Sequence, residues 1–199
     1  MNQPKIQVSD FEQPAWAHFL FDSKNSALLW LVVRVWVGYE WFEAGLHKVT
    51  DPAWTSTGAS ILGYWQRATA VPAPPARAAI TYDWYRSFLQ MLIDGQTHTW
   101  FGPAIAYGEV LVGIGLIVGG LVGFAAFFGA LMNMSFMLAG SASTNPILFA
   151  LGVALMLGWK VAGYWGADRW ILPFLGTPWH AGMLTANGRQ PRMPSGHPA

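Results

Sequence analysis

The residues able to do chemistry in this chain are few and oddly placed. Arg34, Glu40, Glu43, His47 and Lys48 fall in one apolar stretch and Glu109 in a second. Asn133 lies in a third, among Met132, Met134 and Met137, and Lys160 in a fourth. An unpaired charge at the centre of a bilayer costs roughly 2.5–3.5 kcal/mol on insertion scales, so such side chains must pair, face a cavity or serve a ligand. At about 100° per residue, Arg34, Gly38, Trp41, Gly45 and Lys48 share a stripe about 80° wide whose glycines admit a neighbouring helix. Glu40, Glu43 and His47 form a second stripe on roughly the opposite side. Their i, i+3, i+7 spacing suits a proton relay, or simply polar groups at a helix end. A carboxylate-bridged metal centre takes Glu-x-x-His motifs from two helices. That pattern is missing, and no metal is expected. Counting about 1.5 Å per residue places Arg34 about 10 Å and Glu109 about 17 Å from the same boundary, within reach of a long side chain. The expectation is an Arg34–Glu109 ion pair, acting either as a packing contact or as a proton or quinone site. Trp41 and Asn133 are the candidates for lining a quinone pocket. Lys48, Arg67, Arg77 and Arg86 are the available anion contacts.

The surroundings are unusual for a soluble domain. The 199 residues are 53% hydrophobic and 11% charged, against roughly 25% charged in ordinary domains. The 50 positions between Glu109 and Lys160 contain no Asp, Glu, Lys or Arg. This argues for an integral membrane protein and against a cytosolic enzyme or a disordered chain. A net charge of +1 without a basic run argues against a nucleic-acid binder. With no cysteine, there is no thiolate, persulfide, iron–sulfur ligand or haem attachment motif. No flavin-binding motif is present, and the glycines at 108, 113, 115, 119, 120 and 123 follow no strand and read as helix-packing positions. The polar N-terminus lacks the core of a signal peptide.

Four apolar segments of about 20 residues, the length needed to cross about 30 Å of hydrocarbon, define an expected all-α antiparallel four-helix transmembrane bundle. They run over about 27–47, 101–120, 122–139 and 146–165, after an N-terminal interfacial segment at 1–26 and before a tail at 176–199. Phe11, Trp16, Phe19, Leu20 and Phe21 supply that segment's apolar residues. The last two links are short, and in the second Asn145 is expected to cap a helix that begins with Pro146. The connection over 48–100 is long. After its Pro-rich break, Ile80, Trp84, Phe88, Met91 and Leu92 recur at helical spacing and predict one amphipathic helix. Trp54, Trp84, Trp100, Trp165, Trp170 and Trp179 fall near segment ends, as an aromatic belt requires. Lys5, Lys24, Lys160, Arg169, Arg189 and Arg192 lie on the side of the termini, against Lys48, Arg67, Arg77 and Arg86 on the other. That bias predicts cytoplasmic termini.

Several runs together resemble one family. They are Arg34-x3-Gly38, Ala44-Gly-Leu-His-Lys-Val-Thr-Asp-Pro-Ala-Trp54, Tyr82-Asp-Trp-Tyr85, Tyr107-Gly-Glu109-x3-Gly113, Gly129-Ala-Leu-Met-Asn-Met-Ser-Phe136, Ala139-Gly-Ser-Ala-Ser-Thr-Asn-Pro146 and Ala162-Gly-Tyr-Trp-Gly-Ala-Asp-Arg169. The chain is similar over about 27–175 to the DoxX family, which is related to the DoxD subunit of thiosulfate:quinone oxidoreductase. The resemblance implies a four-helix domain in a bacterial or archaeal cell membrane. It implies a subunit of a quinone-linked oxidoreductase in respiratory electron transport, with thiosulfate or another sulfur compound as electron source. A partner subunit or a homo-oligomer would complete it, with quinone as the cofactor and the lipid bilayer as its surroundings. Two other readings stay open: a non-catalytic anchor or assembly subunit of a respiratory complex, and a small transporter or channel. Four uninterrupted segments without an internal repeat speak against the last.

Overall fold

The computed structural model describes residues 13–177 and 180–186. Lys5, Phe11, Trp179, Arg189 and Arg192 lie outside them. The chain is mostly helical. In order, the helices are α1 (Ala15–Asp22), α2 (Ala27–Val49), α3 (Pro52–Thr55), α4 (Ala59–Thr69), α5 (Asp83–Asp94), α6 (His98–Val118), α7 (Val122–Leu138), α8 (Asn145–Leu157), α9 (Trp159–Ala162), α10 (Asp168–Leu175) and α11 (Met183–Ala186). A short antiparallel ladder pairs Gly176–Thr177 with His180–Ala181. Among the described residues one helix, α6, is long and apolar enough to cross a membrane, with 21 residues and a mean hydropathy of 1.8; α7 and α8 are apolar but shorter. Helix α2 has 23 residues, and its four charges lower its hydropathy.

The four main helices alternate in direction. Helix α2 lies along α6 and α7 along α8, while α6 and α7 touch moderately and α2 and α8 touch much less. Glycines set the closest approach. A Cβ on Gly113 would stand 2.6 Å from the Phe42 amide nitrogen, and one on Gly45 would stand 2.6 Å from that of Val110. The core between the helices contains Trp30, Val37, Trp41, Val112, Leu116, Val122, Ala126, Leu148 and Leu155.

The long connection holds three helices. Beyond the expected helix, now α5, the segment before the Pro-rich break folds into α3 and α4. Asp51 starts α3 by accepting the Ala53 amide at 2.9 Å. Ile61, Trp65, Ile80, Tyr85, Leu89 and Leu92 form a second core. The buried face of α5 is therefore Tyr85, Leu89 and Leu92, and Trp84, Phe88 and Met91 of the expected stripe are exposed. The phenol of Tyr85 donates to the Ser135 carbonyl at 2.8 Å, which ties α5 to the end of α7.

Two boundaries need correction. The fourth apolar segment is interrupted: α8 ends at Leu157 and α9 begins at Trp159, with Gly158 between them under the Trp30 ring. Thr144 occupies the cap position of α8, because Asn145 has already turned into the helix and donates its amide to the Ser141 carbonyl at 3.0 Å.

Candidate functional site

Register explains where the polar side chains meet. With Phe42 beside Gly113 and Gly45 beside Val110, Glu109 falls opposite Leu46. That is half a turn from Lys48 and about three turns from Arg34. The partner of Glu109 is accordingly Lys48, whose ammonium donates to Oε2 at 2.6 Å. The Arg34–Glu109 pair does not form. The depth count started both helices at one level, whereas α2 overhangs the end of α6 by about three turns.

Arg34 works at that end. Its guanidinium donates to Leu116 O at 2.5 Å, Ile117 O at 2.7 Å and Trp165 O at 2.9 Å. The first two carbonyls belong to the last turn of α6, which has no helical donors for them and attracts cations. Gly119, at φ +71°, leaves room for the guanidinium. The reciprocal need is met by Asp168, whose carboxylate accepts the Leu121 amide at 2.6 Å and the Val122 amide at 2.9 Å, at the start of α7. Burial pushes the Asp168 carboxyl up from the ordinary range, while those two amides and the Arg34 charge hold it down. Asp168 is not among the candidate residues that the sequence offers, although it sits in the run Ala162-Gly-Tyr-Trp-Gly-Ala-Asp-Arg169. Nothing local in the sequence says that an acid at 168 reaches an amide at 121.

The opposite end of the bundle contains a cavity of about 610 Å³ between α2, α4, α7 and the start of α8. Glu40, Trp41, Lys48, Arg67, Glu109 and Asn133 all line it. Trp54 and Tyr64, outside the candidate set, line it too. The Lys48 ammonium lies 5.3 Å from the Trp54 ring centre, a cation–π distance. Glu40, Ala44 and Lys48 form one i, i+4, i+8 row on α2, so Glu40 separates from Glu43 and His47, which are exposed. Of the three, Glu40 alone lines the cavity. Arg77 and Arg86 are not at the cavity. Arg77 is exposed, and Arg86 bonds Asp83 and the Ile80 carbonyl. Lys160 reaches Asp22 at 3.2 Å near the other end.

Asn133 is the most informative group. It is 1% exposed, and neither its Nδ2 nor its Oδ1 has a hydrogen-bond partner among the described residues. Buried amides are nearly always paired, and an unpaired one carries a desolvation penalty. The arrangement can therefore offer a ligand an unsatisfied donor and acceptor, a charge-balanced Lys48–Glu109 pair and aromatic walls. Among the described residues no group of three or more His, Cys, Asp or Glu could hold a metal ion. No family model, no curated protein and no solved structure matches the chain.

Proposed function

We propose that the chain is a four-crossing membrane protein of DoxX type that receives a quinone headgroup in this cavity. It would act as the membrane subunit of a quinone-linked oxidoreductase in a bacterial or archaeal cell membrane. The crossings are α2, α6, α7 and α8 with α9. The observation that carries the reading is the unpartnered, buried Asn133 amide in the same cavity as the Lys48–Glu109 pair. A volume of about 610 Å³ falls in the usual range of small-molecule sites, roughly 300–1,000 Å³.

A quinone ring is flat and apolar and presents carbonyl acceptors. Asn133 Nδ2 and Lys48 Nζ are donors of the matching kind, and Trp41, Tyr64 and Phe136 give the ring apolar walls. The loose contact between α2 and α8 is the natural route for an isoprenoid tail to leave into lipid. Glu109 is the carboxylate placed to give or take a proton at a bound oxygen, with Lys48 balancing its charge. A bound quinone supplies the capacity to accept electrons. The donor is thiosulfate or another reduced sulfur compound, delivered by a partner chain.

The test is purification in mild detergent, solvent extraction of bound quinone, and assay of thiosulfate-dependent quinone reduction with and without co-purifying chains. Retained quinone together with partner-dependent turnover supports the reading. Retained quinone without turnover in any complex favours a non-catalytic subunit. Protein that neither retains nor binds quinone overturns it.

A further inference from the structure

The two unmet needs of Asn133 differ, and the difference reaches beyond quinone binding as such. Nδ2 requires an acceptor and Oδ1 requires a donor, and both are buried at the cavity without a partner among the described residues. An oxidised quinone presents acceptors alone. It can satisfy Nδ2, but it leaves Oδ1 facing a ring that has nothing to donate. A hydroquinone hydroxyl donates to Oδ1, and its lone pairs, or those of a neighbouring ring substituent, accept from Nδ2. Glu40 and Glu109 line the same cavity and are acceptors of the kind a second hydroxyl needs, while Lys48 and Arg67 line it as donors that either form can use.

We propose that the cavity is selective for the reduced, hydroquinone form of its ligand, and that Asn133 is the residue that reads the redox state. The proposal rests on the quinone reading above and narrows it to one oxidation state. No electron transfer is part of it, only the relative affinity of the two forms.

The experiment titrates the full-length protein in detergent with decylubiquinone and, anaerobically, with its dithionite-reduced quinol. Binding is followed by the quenching of tryptophan fluorescence. The quinol should bind on the order of tenfold more tightly, the effect of one additional net hydrogen bond. In Asn133→Leu the two affinities should converge through weaker quinol binding, and in Asn133→Gln part of the preference should return. Equal affinities in the unaltered protein overturn the proposal and leave the quinone reading standing. So does a preference that survives in Asn133→Leu. Binding of neither form overturns both. Should Asn133→Leu fail to fold, Asn133→Ala takes its place, with the same convergence expected and a surviving preference overturning the proposal.

Discussion

Lys48 and Glu109 form a pair of unequal exposure: the Glu109 side chain is 1% exposed and that of Lys48 is 21%. Removing the cation should therefore hurt more than removing the anion. Lys48→Met leaves a carboxylate stranded in the interior and should destabilise the protein by about 3 kcal/mol, the lower end for breaking a buried pair. Glu109→Gln should cost less, because the Lys48 ammonium keeps access to the cavity. The double variant Lys48→Met/Glu109→Gln should recover most of the loss, and thermal unfolding in detergent measures all three. A double variant no better than Lys48→Met would mean that the pair does not act as a unit. Asn133 predicts the opposite sign. Asn133→Leu removes an amide that has no partner and should raise stability by about 1 kcal/mol, read from the same melts. A polar group kept at a cost to stability is the pattern expected where a ligand uses it.

Among the helices, α2 and α6 set the geometry of the site, and their spacing depends on particular glycines. At Gly113 a Cβ would meet Phe42 backbone atoms at 2.6–2.7 Å, whereas at Gly108 it would meet only the Met132 sulfur at 4.0 Å. Gly113→Val should force the helices apart at a cost of about 3 kcal/mol or more. Gly108→Ala should be neutral or stabilising by up to about 1 kcal/mol, since alanine is the better helix former. Comparable losses at both positions would contradict this register. The attachment of α5 to α7 has a pH signature. Burial raises the Tyr85 phenol above its ordinary value. Because the folded value lies above the unfolded value of about 10, this contribution is complete below pH 10 and is lost as pH rises through the folded value. Tyr85→Phe should remove that alkaline loss, as seen in melting temperature between about pH 9 and 12. An unchanged alkaline slope would count against the contact.

Taken together, the described residues place Arg34, the α6–α7 turn and Asp168 at one end, and Lys48, α3 to α5 and the 139–145 link at the other. The proposed four-crossing topology puts these ends on opposite faces of a bilayer. Because the sequence has no cysteine, single introduced cysteines report the arrangement directly. Ser56→Cys and Ala142→Cys should react with an impermeant maleimide on intact cells, and Asn25→Cys only after permeabilisation. Reaction of all three from one side would rule out the four-crossing topology. Trp84, Trp100, Trp165 and Trp170 are all strongly exposed, and they occupy the two ends where an aromatic belt would lie.

The helices themselves were legible from local chemistry. Apolar runs, the Pro-rich break at 71–75 and the short polar links mark where this chain can be helical; they locate α2, α6, α7 and the start of α8 to within a few residues and the existence of α5, but not the break that ends α8 at Leu157. The membership of the cavity was partly legible as well, because polar residues in apolar stretches are rare enough to stand out. Which of them meet was not. Pairing depends on the axial offset of α2 against α6, set by the glycine contacts at Gly45 and Gly113 rather than by distance counted from the helix ends. Asp168 and Tyr64 came into view only with the fold, since each bonds or lines a surface built by residues tens of positions away. The sequence by itself determined which groups could carry chemistry. The tertiary structure set Arg34 at one helix turn, where Asp168 joins it, and Lys48, Glu109 and Asn133 around a cavity, because only close packing decides which neighbours each charge can reach.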